Sequence, residues 1–284
     1  MSFSSEVKEE LARHLGRSRH CQIAELAAIL AFAGAEADSE NVLLSGKYRM
    51  LLEELFQIKE IRSTEEERRV FSAVKMWNEE KGCTERQQTV QGILIQQPCC
   101  KRAFIRGAFL AGGSISDPNK SYHFEIVCRS VAQARQLAEV INSFEMDAKI
   151  VARKKYQVVY LKEGAQIVDI LNVMEAHVAL MNLENVRILK EMRNSVNRRV
   201  NCETANISKT VNAAVQQVAD IAYIRDTAGL DSLPDNLREM ALLRLEYPDA
   251  PLKELGTYLT PPVGKSGVNH RLRKISEIAE GLRK

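Results

Sequence analysis

Residues 102–118 read RAFIRGAFLAGGSISDP, and residues 24–36 read AELAAILAFAGAE. Each is an apolar stretch studded with small residues and ending in Gly-Gly or Ala-Gly. Laying Ala33-Gly34 on Gly112-Gly113 gives a repeat period of 79 residues. That is too long for a solenoid unit and suits two halves of one pseudo-symmetric domain. Ala27, Ala28 and Ala31 in the first copy and Gly107, Ala108 and Ala111 in the second would let two helices approach closely. One copy alone reads as an Ala-rich core helix; the matched tips argue for a pair. Gly107, Gly112, Gly113 and Ser114 also fall at P-loop spacing. The phosphate-binding Lys is replaced by Gly113, and a helix leads in where a strand is needed, so no nucleotide is expected there.

The 284 residues, 45% hydrophobic and 27% charged, fit a globular protein of about two domains. A net charge of +3 does not by itself announce a nucleic-acid binder, but its distribution is uneven. Residues 185–209 hold six Lys or Arg against two Glu, and residues 251–284 hold seven against three. A solvated face is the ordinary alternative for such a block. Six cysteines, Cys21, Cys83, Cys99, Cys100, Cys128 and Cys202, show no CxxC pair and no His at zinc-finger spacing. Reduced thiols in a cytoplasmic protein are the simplest account, and neither a metal nor a cofactor is expected. The opening MSFSSEVKEELARHL lacks a signal-peptide core, and the longest apolar stretch, 23–35, contains Glu25 and is too short to span a bilayer.

Along the chain, Ser4 or Ser5 is expected to cap a first amphipathic helix carrying Val7, Leu11 and Leu15. NVLLSG (41–46) reads as a short strand, followed by a helix around Tyr48–Ile58. TEEERRVFSAVKMWNEEKG (64–82) reads as a charged helix stopped by Gly82. Pro98 marks a boundary before the second copy. SYHFEIVCRS (121–130) alternates as a strand, 131–144 is helical, and 147–162 reads as a hairpin turning near Arg153–Lys155. Sheet signals in the first half are weak. From about Glu163 onward the chain is helical.

Residues 237–282 read as three helices: one stopping at Pro248, a short one over Leu252–Leu259, and a basic one starting near Lys265-Ser266. A turn containing Pro261-Pro262 and Gly264 separates the last two. Short helix, tight turn and longer basic helix is the helix-turn-helix pattern. Val268, Leu272 and Ile275 would face inward. Ser266, Asn269, His270 and Arg273 would then project where a recognition helix meets base edges. Asn can bridge adenine N6 and N7, and Arg can bridge guanine O6 and N7. Lys265, Arg271 and Lys274 suit phosphates, which set affinity more than sequence choice.

The two tipped helices resemble those of LAGLIDADG homing endonucleases, which carry a metal-binding acid at each lower end. Here those positions hold Ala33 and Gly112, and neither can ligate a cation. Glu36, Asp38 and Asp117 lie nearby, but two-metal chemistry needs acids converging on ions about 4 Å apart. SFSSEVKEEL, RGAFLAGGSISDP, NRRVNCETANISKTVNAAVQQVADI and GKSGVNHRLRKI together resemble the WhiA family of bacterial regulators over nearly the whole chain.

That resemblance implies an α+β, pseudo-symmetric LAGLIDADG-like domain over 1–190 (halves 1–98 and 99–190), a basic helical linker over 191–232, and an all-α helix-turn-helix domain over 233–284. It implies a partner, double-stranded DNA, and a non-enzymatic, nucleoid-associated role in cell division and chromosome segregation, with sporulation in related bacteria. No membrane association is implied. Gly264 departs from the family, which usually has Ser before the Lys. Two alternatives stay open: a division-linked protein that docks other regulatory proteins, and a residual metal-dependent endonuclease.

Overall fold

A computed structural model describes residues 2–33, 41–85 and 87–283. The chain divides between Glu191 and Met192 into two compact units. In the first, helices α1 (Phe3–Arg13), α2 (Arg19–Ala33), α3 (Val42–Phe56) and α4 (Thr64–Ala73) precede a minimal hairpin, β1 (Trp77–Asn78) and β2 (Cys83–Thr84). Then come α5 (Pro98–Gly112), β3 (Gly113–Ile115), β4 (Phe124–Cys128), α6 (Val131–Asn142), β5 (Lys149–Arg153), β6 (Tyr156–Leu161) and α7 (Gly164–Met174). Helix α8 (His177–Thr227) runs for 51 residues, beginning in the first unit and ending in the second.

The paired helices are α2 and α5. From Leu26 to Ala33 every residue of α2 is buried, as is every residue of α5 from Ala103 to Leu110, which is why both read as apolar all round. They pack tightly at Gly107. A Cβ there would lie 2.5 Å from the Glu25 carbonyl oxygen and 2.9 Å from the Ala28 Cβ, so only glycine admits this crossing. The 79-residue period places Ala28 opposite Gly107 in the alignment, and the fold brings those two positions together.

The second half carries an antiparallel sheet of order β3-β4-β6-β5. Phe124 pairs with Leu161 and Cys128 with Gln157, putting Phe124, Ile126 and Cys128 into the core. The hairpin over 147–162 turns at Lys154, whose φ is 53°. Strand β3, which emerges directly from the α5 tip, was not legible in the sequence.

The first half differs from the expectation at three points. NVLLSG is not a strand: it is the first turn of α3, because the Asn41 side chain accepts from Leu44 N at 3.3 Å and Leu44, Tyr48, Leu51, Leu52 and Leu55 continue one buried face. The helix expected over 64–82 stops at Ala73. Lys75 takes a left-handed φ of 60°, and Gly82, at φ 61°, serves the β1–β2 turn instead of ending a helix. Ser2, in place of Ser4 or Ser5, caps α1 by accepting from Ser5 N at 3.2 Å. Among the described residues, β1 and β2 form the only ladder of this half.

In the second unit, α9 (Asp235–Glu246), α10 (Leu252–Thr257) and α11 (Lys265–Arg283) enclose a separate core with the end of α8. Leu237, Met240, Ala241, Leu255, Leu259, Val268, Leu272, Ile275 and Ala279 meet there, together with Ile221 and Ile224.

Candidate nucleic-acid interface

The turn between α10 and α11 is held by its backbone. Val263 N donates to Gly256 O at 2.9 Å, and a Cβ on Gly256 would sit 2.0 Å from Val263 O. Glycine therefore lets the turn lie directly on α10. Gly267 N and Val268 N then donate to Gly264 O, starting α11. With Val268, Leu272, Ile275 and Ala279 inward, helical geometry fixes what faces out.

Ser266, Asn269, His270, Arg273 and Lys274 are all exposed, at spacings of three, four and seven residues along one stripe. Lys265 is exposed on the first turn. From Ser266 to Arg273 the stripe covers about 10 Å at 1.5 Å per residue, compatible with a major groove about 12 Å wide. Arg273 is 76% exposed and donates from Nε to Glu277 Oε1 at 3.1 Å, an exchangeable surface pair.

Arg271 is placed differently. Its side chain is only 22% exposed and turns back on α9, with Nη1 3.4 Å from Asn236 O and 4.0 Å from Glu239 Oε2. It braces α11 against α9. The other six candidate residues stand on the open surface.

The basic block at 185–209 is also divided. Arg187 pairs with Glu184 and Glu191, and Lys190 donates to Pro118 O at 2.6 Å while lying over the Tyr122 ring. Arg193, Arg198, Arg199 and Lys209 are exposed along α8.

The tips of the paired helices are crowded at Gly112 and Ala33, the positions where the resemblance would place metal-binding acids. A Cβ on Gly112 would lie 2.9 Å from Val127 O, because β4 passes directly over the end of α5. At the other tip, the Arg129 guanidinium donates to Ala33 O at 2.9 Å and Gln133 Nε2 to Ala31 O at 3.0 Å. A fixed cation thus sits beside Ala33. Asp117 accepts from both Asn119 N and Asn119 Nδ2, at 2.9 and 3.0 Å, which holds its carboxyl below the usual range. Glu36 and Asp38 lie outside the described residues.

Two groups were missed by sequence reasoning. Glu25, noted only as an interruption, is fully buried and paired to both Arg106 and Lys47. Burial pushes the Lys47 ammonium down, against the pull of Glu25. The second group is His20, Cys21, Cys99 and Cys100, whose possible ligand atoms all lie within 4.8 Å of one another. The 79-residue register held the signal: it lays His20-Cys21 on Cys99-Cys100.

Comparison with known proteins is consistent across both units. The family model "WhiA LAGLIDADG-like domain" matches residues 101–193, and "WhiA C-terminal HTH domain" matches residues 196–279. The chain is 50% identical to the "Probable cell division protein WhiA" of Lachnoclostridium phytofermentans, with all of both chains covered. It is 48% identical to the protein of the same name from Alkaliphilus oremlandii, covering 99% of this chain and 98% of the relative. Among solved structures it resembles full-length DUF199/WhiA from Thermatoga maritima, at 25% identity and a TM-score of 0.58, covering 99% and 98% of the two chains.

Proposed function

The chain belongs to the WhiA family, and on that premise we propose that it is a DNA-binding regulator of cell division without nuclease activity. The single observation that carries the DNA-binding part is the open stripe of α11: Ser266, Asn269, His270 and Arg273 face solvent together, flanked by Lys265 and Lys274. This combines groups that read base edges with groups that hold phosphate. Arg271 acts from behind, fixing the helix on α9. The names of the curated relatives supply the link to division. Transcription control, or organisation of the chromosome during segregation and, in related bacteria, sporulation, is the reading that a sequence-selective binder of this kind supports. The closed tips at Gly112 and Ala33 support the absence of cleavage.

The domain plan behind this reading assigns residues 233–284 to base recognition, with the exposed cations of α8 adding sequence-independent phosphate contacts. The test is a titration of full-length protein, and of a variant lacking 233–284, on random and selected DNA at several salt concentrations. The expected result is loss of sequence preference on deletion, with weak salt-sensitive binding retained. Unchanged preference would move the reading head elsewhere. Full-length binding that ignores salt would instead favour a docking role toward proteins.

A further inference from the structure

The N-terminal ends of α2 and α5 meet at the opposite end of the helix pair from the degenerate tips. Each brings two ligand-type side chains in its first turn: His20 and Cys21 from α2, Cys99 and Cys100 from α5. His20 Nδ1 lies 3.1 Å from Cys100 Sγ and 3.4 Å from Cys21 Sγ, and all four ligand atoms fall within 4.8 Å of one another. We propose that these four residues form a structural zinc site that clamps the two helices together.

The donor set is the first argument. Three thiolates and one imidazole are a complete tetrahedral shell for Zn²⁺, with no position left for water, which is the composition of a structural site. Bonds of about 2.3 Å to sulfur and about 2.0 Å to nitrogen place the ligands about 3.5–3.8 Å apart. The observed separations straddle that range, so small side-chain rotations close the shell. Iron–sulfur clusters favour four cysteines, and oxygen-seeking cations find no carboxylate in this group.

The surroundings fit as well. Cys21 and Cys100 are buried while His20 and Cys99 face solvent, so the ion has an entry side and an enclosed side. Among the described residues, the other members of this small buried cluster are Ala24 and Ala103, separate from the main core. No large apolar side chain in the cluster joins the helix ends, and a metal would supply that link. A Zn²⁺ with three thiolates and a neutral His carries a net charge of −1, and it would sit between two helix N-termini, which favour negative charge. Binding of a dication would release the thiol protons to solvent.

The test uses full-length protein purified without chelator from zinc-supplemented cells. Expected are about one zinc per chain by elemental analysis, and, after Co²⁺ exchange, the visible and thiolate charge-transfer bands of a tetrahedral site. Cys21→Ser and Cys100→Ser should each lose most of the zinc, whereas Cys128→Ser and Cys202→Ser should keep it. If the first two variants misfold, chelation of the wild-type chain decides: removal of zinc should lower Tm, and added Zn²⁺ should restore it. A wild-type chain without zinc whose Tm ignores both chelator and added Zn²⁺ overturns the proposal. So does full zinc in a folded Cys21→Ser/Cys100→Ser chain, or a disulfide within the four residues in freshly purified protein.

Discussion

Arg106 and Glu25 face each other through two parallel hydrogen bonds, Nε to Oε1 at 3.1 Å and Nη2 to Oε2 at 3.0 Å, with both side chains out of solvent. The pair bridges α5 and α2. Lys47 Nζ reaches the same carboxylate at 3.1 Å and also donates to His14 O, while Arg106 extends to Glu175 at 2.7 Å. Three helices of the first unit, α2, α3 and α5, therefore meet at one buried carboxylate. The charges balance only as a set, so removing one leaves the others desolvated.

Arg106→Met should destabilise the first unit by about 3–5 kcal/mol, the cost of orphaning a buried charge. Glu25 keeps Lys47, which places the effect toward the lower end. The sole tryptophan, Trp77, packs against this core, so urea unfolding followed by its fluorescence reads the right unit. A midpoint shift worth less than about 0.5 kcal/mol, the size of an ordinary surface substitution, would show that the network is not structural.

Arg273→Ala and Arg271→Ala should fail in different ways. The first should leave the fold intact and relax preference at one base pair by about 1–3 kcal/mol. The second should lower the thermal stability of the helix-turn-helix unit and reduce affinity for all sequences alike. Lys274→Ala should lower the salt slope of binding by about 1 without changing preference. Competition binding on a set of single-base variants separates these outcomes. An Arg271→Ala chain with normal stability and altered preference would place that residue among the base readers after all.

Two glycines of the second unit predict opposite signs. Gly256→Ala drives a methyl into Val263 O and should cost about 1–3 kcal/mol, through displacement of the turn that aims α11. Gly281 lies within α11 with open space around its would-be Cβ, so Gly281→Ala should stabilise by about 0.5–1 kcal/mol. Thermal melting of the full chain, followed at the helical band, reads both. A neutral Gly256→Ala would mean that the α10–α11 turn has slack.

Placing acids at the tips should not confer cleavage. Gly112→Asp must displace Val127 from the end of α5, and Ala33→Asp places a carboxylate beside the Arg129 guanidinium, which competes with any ion. Plasmid incubated with the double variant and Mg²⁺ or Mn²⁺ should stay intact. Metal-dependent nicking above the wild-type background would show that the tips lost only their ligands.

Much of this protein was determined by local pattern. The two small-residue helices, the hairpin over 147–162 and the three C-terminal helices follow from periodicity and punctuation, because each depends on neighbours within a few turns. NVLLSG shows where that stops: six apolar-leaning residues suit a strand or a helix, and Asn41 acting as a cap decides between them. The inward turn of Arg271 depends on a partner 35 positions distant, and the burial of Glu25 on partners 81 and 22 positions distant. For Gly112 the partner is the β4 backbone. The cluster of His20, Cys21, Cys99 and Cys100 lies between these extremes. Its register was written in the 79-residue repeat, but only the packing of α2 on α5 brings the four side chains together. A sequence sets which faces are apolar and where elements begin. Which charges meet, and which position has room for a side chain, is decided when distant segments pack.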